Sequence, residues 1–339
     1  MDYKRFQEIA RNFPEKRIAV IGDLMLDVYI FGRTNRISPE APVPVLEVGR
    51  RTHCLGGAAN VMRNLVALGG KTIALGVIGD DADGRLVCEE FARSGINCNR
   101  IQVDKKRRTT QKQRIIAGAQ QLLRVDYEDV GRIDVQCARM MADDLIDLVN
   151  AGAVDGIIFE DYGKGVLSEA LIERVLQAVK SKNIFTALDP KPGNLLPVKG
   201  LGVMKPNRVE AFKLADMSDQ EFDGSPADDQ QLHEVAGKIL EQWDLQYLLI
   251  SLSAQGMALY DRSVEKPIII PTSAREVFDV SGAGDTVIAT FTLAMCSGAT
   301  PTEAAILANT AAGVVVGKIG TSPITFGELQ RAFTEQYGR

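Results

Sequence analysis

Histidine is nearly missing from this 339-residue chain, which has two, His53 and His233. That scarcity excludes most histidine metal sites and leaves little from which to build a Ser-His-Asp triad. Cysteine is sparse and unpatterned. Cys54, Cys88, Cys98, Cys137 and Cys296 are odd in number and form no C-x-x-C pair, so reduced thiols fit better than a disulfide frame or a zinc site. No apolar run approaches the roughly 20 residues that cross a bilayer, and the first 16 residues lack the apolar centre of a secretory signal. The expectation is a cytoplasmic protein with no membrane partner. Positive charge is also short: 39 Lys and Arg against 44 Asp and Glu give a formal net charge of -5, without the basic field that nucleic-acid backbones require. The basic run Lys105-Lys106-Arg107-Arg108 reads as a solvated loop. Two phosphate-binding motifs are missing as well. The glycine that a P-loop needs five residues before Gly70 is Leu65, and the first apolar run ends Gly-Asp-Leu-Met-Leu-Asp rather than G-x-G-x-x-G.

What remains is an ordinary globular composition, 45% hydrophobic and 24% charged, long enough to bury a large core. Strand-like runs at 17–23, 72–78, 156–160, 184–189, 202–205 and 247–252 alternate with helical patterns at 58–68, 84–93, 135–149, 169–180 and 228–243. Alternation of this kind predicts an α/β fold, a mostly parallel sheet with helices on both faces. Two stretches break the rhythm. Residues 43–48 and 109–126 read as short strands with no helix between them, which predicts a small separate β-sheet, a lid that excludes water. Proline at 39, 42 and 44 marks an edge or an irregular entry there. Residues 217–229 read as a surface connection.

The most informative stretch is Asp279-Val280-Ser281-Gly282-Ala283-Gly284-Asp285-Thr286, followed by apolar and small residues to Met295. Gly282 and Gly284 let backbone N–H groups converge, and the helix that follows adds its positive end, so the turn can hold an anion. Asp285 sits in the same turn, and its place at a helix N-terminus predicts an ionised carboxylate at neutral pH. The set suits phosphoryl transfer: amides steady the developing charge while the carboxylate takes a proton from the attacking hydroxyl. The plainer reading is a glycine-rich helix start packed on a strand.

Other groups fall just after strands, where open α/β sheets bind ligands. Asp23 and Asp27 offer carboxylates suited to sugar hydroxyls. Gly56-Gly57-Ala58-Ala59-Asn60 starts a helix, with Asn60 able to bond a hydroxyl or hold a loop. Asn207 with Glu210 reads as a capping box, and the same pair could organise water around a magnesium ion on nucleotide phosphates. Asp161-Tyr162-Gly163-Lys164-Gly165 and Asp189-Pro190-Lys191 add charged groups that a doubly wound sheet would gather at its C-terminal edge.

Taken together, Gly56-Gly57 with Asn60, Asn207-x-x-Glu210 and the 279–286 turn resemble the ribokinase-type (PfkB) carbohydrate kinases over nearly the whole chain. Segments 22–27, 35–45, 120–124 and 161–165 look like those of the D-glycero-β-D-manno-heptose-7-phosphate kinases within that family. The resemblance implies a single ribokinase-like domain over 1–339 with a lid at about 30–50 and 105–126. It implies transfer from ATP to the anomeric hydroxyl of heptose 7-phosphate, giving the 1,7-bisphosphate for lipopolysaccharide precursor synthesis. Asp285 would be the base, with Gly282, Ala283 and Gly284 as the anion hole. Asp23, Asp27, Gly56, Gly57, Asn60 and Lys164 would meet the sugar. Asn207, Ser251, Ser253, Gly256 and Asn309 would meet the nucleotide, and Asn207 and Glu210 would hold Mg2+ through water. Potassium is a candidate activator, and a homodimer through the lid sheet is the implied assembly.

The chain departs from the family pattern in three places, one of them Ser251, where many relatives carry threonine, a change that keeps the hydroxyl. Ala117-Gly118-Ala119 stands where a basic residue for the substrate's 7-phosphate is expected, so a different sugar or sugar phosphate is the alternative acceptor. No His-x-Gly-His occurs, so the adenylyltransferase step of fused relatives is not expected. A nucleotide- or sugar-binding regulator without turnover is the alternative of another class, and the intact Asp285 and Gly-Ala-Gly speak against it.

Overall fold

Strand β1 (Arg17–Gly22) is apolar at every inner position because both of its faces are covered: Ile18 and Val20 enter one core, Ala19 and Ile21 the other. The computed structural model describes residues 1–338 with the exception of Glu221, Arg275 and Ile319. In it β1 is joined by β4 (Lys71–Gly79), β5 (Ile101–Asp104), β8 (Gly156–Glu160), β9 (Phe185–Asp189), β10 (Val203–Met204), β11 (Tyr247–Ser251), β12 (Met257–Asp261) and β13 (Ile268–Ile270). They form a nine-stranded sheet ordered β13-β12-β11-β10-β9-β8-β1-β4-β5. Pairing is parallel from β11 through β5, while β12 runs antiparallel to both β11 and β13. The mostly parallel sheet is as expected. The additions, β5 at one end of the sheet and β12 with β13 at the other, are three to five residues long, too short to carry a periodic signal.

Helices α1 (Tyr3–Ala10), α2 (Ala58–Ala67), α3 (Ala82–Arg93), α8 (Ala283–Cys296), α9 (Pro301–Val315) and α10 (Phe326–Tyr337) pack into the first core. Helices α4 (Val135–Asn150), α5 (Glu169–Val179), α6 (Arg208–Leu214) and α7 (Gln230–Gln242) pack into the second. Every residue of α8 from Asp285 to Ala294 is buried, which is why that helix shows small and apolar residues all round rather than a stripe. Among the described residues, no helix is long and apolar enough to cross a membrane. The 217–229 connection is a loop with one short turn of 3-10 helix at Pro226–Asp228, and its Glu221 lies outside the described residues.

The small sheet is built from β2 (Leu24–Ile37), β3 (Pro44–Gly57), β6 (Thr110–Ala117) and β7 (Gln120–Tyr127), ordered β3-β2-β6-β7. It is larger than the expected 30–50 and 105–126 segments. Only Asp23 separates β1 from β2, whose root residues Leu24, Leu26 and Val28 are anchored in the first core. That apolar root masks the alternation of the exposed half of the strand. Pro44 opens the edge strand β3, where its missing donor costs nothing in the ladder.

Candidate active site

The start of α8 is shaped by its glycines. Gly282 caps the helix at φ 80°, in the left-handed region, and a Cβ there would lie 2.8 Å from Asn60 Nδ2. A Cβ on Gly284 would lie 2.9 Å from Lys205 Nζ. The amide of Ala283 donates to Val280 O at 3.2 Å. Among the described residues, the amides of Gly282, Gly284 and Asp285 donate to no protein acceptor. The free donors therefore differ from the expected Gly282, Ala283 and Gly284, because the turn that Gly282 closes directs the Ala283 amide inward.

Asp285 is 3% exposed and accepts two hydrogen bonds, from Asn60 Nδ2 to Oδ2 at 2.7 Å and from the Tyr162 hydroxyl to Oδ1 at 2.7 Å. Burial pushes its carboxyl above the usual range, while those two bonds and the Lys205 charge pull it down. The net direction is upward, because desolvation of the carboxylate outweighs the two bonds and the Lys205 charge. Asn60 is itself fixed. Asn64 donates to its carbonyl at 2.9 Å and accepts from the Thr286 hydroxyl at 3.1 Å, which clamps α2 to α8.

Around this centre the parallel strands deliver further charge. Glu160 and Asp189 end β8 and β9 side by side in register. One oxygen from each, together with one from Asp285, lies within 4.8 Å of the others. The cation among them is Lys205, whose ammonium is 2.7 Å from Asp189 Oδ2. Burial pushes Asp189 up to about 6 against the pull of Lys205.

The expected sugar residues divide. Asp23 is buried, and its oxygens accept from the amides of Tyr162 (2.8 Å), Lys164 (3.0 Å) and Val166 (3.2 Å). Asp23 thus holds the loop that carries Tyr162. Asp27 lies at the root of β2 in a close ion pair with Arg114 of β6, and Gly56 passes directly against its carboxylate. Gly57 ends β3 and caps α2. The Lys164 ammonium meets Glu128 at 2.8 Å, and Glu128 also meets Lys112 at 3.2 Å, so Lys164 ties its loop to the end of the small sheet.

Among the residues expected to meet nucleotide, the capping box is present: Glu210 N donates to Asn207 Oδ1 at 2.9 Å and Asn207 N to Glu210 Oε2 at 3.0 Å. Asn207 forms an isolated parallel bridge with Ser251, and Ser253 (φ 53°) and Gly256 (φ 90°) shape the tight turn into β12. Lys191, Asn207, Glu210, Lys213 and Ser253 line an open cavity of 710 Å3. Asn309 is buried in α9 and donates to Pro271 O (2.7 Å) and Ser273 Oγ (2.9 Å), so it anchors the segment after β13 rather than lining that cavity. A larger cavity, 1160 Å3, opens beside Lys16, Asp155 and Phe185 at the opposite, N-terminal edge of the sheet and contains none of the expected residues.

Residues 15–325 match the family model described as pfkB family carbohydrate kinase. The chain belongs to that family. Among its relatives, the bifunctional protein HldE of Pelobacter propionicus is 41% identical over 98% of this chain, and that of a Caulobacter species is 42% identical over 95%. The chain spans 66% and 64% of those relatives' length. Arabidopsis thaliana ribokinase, solved with ribose and ATP, has the same fold at a TM-score of 0.72 and 20% identity, covering 94% of this chain and 98% of that one. Phosphofructokinase-2 from Escherichia coli, in complex with potassium, superposes at 0.76 with 17% identity, over 96% of this chain and 99% of that one. As a pfkB family member the chain is a carbohydrate kinase, a phosphotransferase acting on sugar hydroxyls.

Four residues at this pfkB centre were not singled out by sequence: Tyr162, Glu160, Lys205 and Arg114. Tyr162 and Lys205 lie within or beside the motifs quoted above. Glu160 had its own signal, a carboxylate closing a strand that is otherwise Gly-Ile-Ile-Phe. Arg114 had none, because its partner Asp27 is 87 residues away.

Proposed function

We propose that this chain transfers the γ-phosphoryl group of ATP to the anomeric hydroxyl of D-glycero-β-D-manno-heptose 7-phosphate, with Asp285 as general base. The observation that carries the reading is Asp285 itself: a buried carboxylate held by Asn60 and Tyr162 at the start of a helix whose Gly282, Gly284 and Asp285 amides are free. The hydroxyl proton passes to Asp285 as the sugar oxygen attacks the γ-phosphorus, the bond to the bridging oxygen breaks and ADP leaves. The free amides and Lys205 offset the charge on the transferring group. Asp27 and Arg114 face the sugar from the small sheet, and Asp23 acts by fixing the loop of Tyr162 and Lys164. Asn207, Ser251, Ser253 and Gly256 line the nucleotide side, and Asn309 supports its far wall.

The donor set fits a hydrated magnesium ion. Glu210 Oε2 is used by the capping box, while Oε1 stands 3.8 Å from Lys191 Nζ with lone pairs to spare. Magnesium held there through water would neutralise nucleotide phosphate charge.

A second reading, another sugar or sugar phosphate as acceptor, is favoured by Gly118, which stands at φ 61° at the tip between β6 and β7 with no basic side chain. One experiment separates the two: ADP release with heptose 7-phosphate, fructose 6-phosphate, ribose and free heptose. The first reading requires heptose 7-phosphate to have the highest kcat/KM, and a higher value for any other sugar overturns it.

A further inference from the structure

Glu160 is left unused by the chemistry above. It ends β8 between Gly22 of β1 and Asp189 of β9. It is fully buried, and among the described residues neither of its carboxylate oxygens meets a hydrogen-bond donor. The charged and titratable groups facing it are Asp189 from β9, Asp285 from α8, Tyr162 from the loop after β8, and Lys205 after β10. Lys205, the one cation of that set, is committed to Asp189 at 2.7 Å. A desolvated carboxylate without a donor or counter-ion takes up a proton, and two neighbouring carboxylates in such a setting do not both stay ionised. Asp189 holds the lysine, so the proton belongs on Glu160. Burial first, and then the Asp189 and Asp285 charges, push the Glu160 carboxyl well above its usual range. Once protonated, it can donate to the Asp189 carboxylate beside it in register.

We propose that Glu160 is a positioning residue for phosphoryl transfer: as a neutral acid it donates a hydrogen bond to Asp189 and so holds the Asp189–Lys205 pair against the Gly284 turn. The inference rests on the kinase reading. Lys205 lies beside the turn whose amides are free, so a slack Asp189 lets the ammonium drift from the charge it offsets. Asp189 has a second oxygen for Glu160 because Lys205 engages Oδ2.

The test compares Glu160→Gln, which keeps an N–H donor but cannot ionise, with Glu160→Met, which keeps volume but has no donor. Both are assayed by ADP release with the sugar that best supports turnover, alongside thermal unfolding. Glu160→Met is expected to lose about 10- to 100-fold in kcat with KM for the sugar little changed, the size of effect that misplacement of a reacting group produces. Its thermal midpoint is expected to hold or rise, since a buried polar group is gone. Glu160→Gln is expected to restore most of the lost kcat. Equal loss in both variants means that an ionised carboxylate is required, as a base or a cation ligand, and overturns the proposal; parental kcat in Glu160→Met overturns it too. A second readout needs no substrate: the infrared band of a protonated carboxyl at neutral pH, present in the parent and removed by Glu160→Gln. Its absence from the parent overturns the Glu160 proposal and leaves the kinase reading standing, whereas a parent that shows the band but turns over no sugar defeats the kinase reading and, with it, the positioning role, leaving only the neutral Glu160 acid.

Discussion

Two short hydrogen bonds decide how Asp285 can behave as a base. Both stabilise its ionised form, and both oppose the burial that favours the neutral one. Asp285→Asn keeps the shape and removes the proton acceptor, so kcat is expected to fall by about 100- to 10,000-fold with binding little changed. Turnover measured as ADP release checks it, and near-parental kcat removes Asp285 from the mechanism. Tyr162→Phe is the finer probe. Loss of its hydroxyl takes a donor from the charged form, which raises the Asp285 pKa further; less carboxylate is ionised at any given pH, so the acid limb of the kcat profile moves to higher pH. An unmoved or lowered limb contradicts the assignment. Asp285 was legible in sequence because motif and helix start coincide over eight residues. Tyr162 was not, since its hydroxyl reaches Asp285 across 123 residues of chain.

The glycine turn and the α6 cap are local devices, and local devices are what sequence reports best. The capping box of Asn207 and Glu210 follows from spacing alone, as does the helix start at 282–286. The inner strands of the parallel sheet were legible for the same reason, being continuous apolar runs, whereas the four-residue β5 at its edge was not. The root of β2 was not, since its apolar residues belong to a core assembled from elements far along the chain. Gly282→Ala places a Cβ in the left-handed region, which costs about 1–2 kcal/mol, and crowds Asn60. Urea unfolding should show that loss of stability together with a lower kcat; a stable, fully active variant contradicts the turn geometry. At α6, Asn207→Ala should cost about 1 kcal/mol as a lost cap and also raise KM for MgATP. Asn207→Ser separates the two roles: it restores the cap, and a KM that stays high supports a nucleotide role apart from capping. Full recovery of KM with the cap supports capping alone.

The small sheet stands partly clear of the body, and its composition does not suit life in water. Val48 (60% exposed) on β3 and Leu122 (39%) and Leu123 (55%) on β7 present apolar surface on the two edge strands, whose outer ladders have no partner strand in the sheet. Exposed edges carrying apolar side chains are normally covered. The same sheet holds the Arg114–Asp27 pair and is joined through Glu128 to Lys164, so whatever covers it also steadies the loop that carries Tyr162 and Lys164. We propose a second copy of this chain as the cover, an arrangement in which assembly and activity are linked. Light scattering should then give twice the 36.8 kDa chain mass at micromolar concentration. Val48→Lys with Leu123→Lys should shift the protein to monomer and raise KM for the sugar while leaving the thermal midpoint of the core nearly unchanged, since neither side chain enters a core. A parent that is monomeric across the assay range removes the dimer. A monomeric double variant with parental KM keeps the dimer but uncouples it from sugar binding, leaving the small sheet to be ordered through the Lys164–Glu128–Lys112 chain alone.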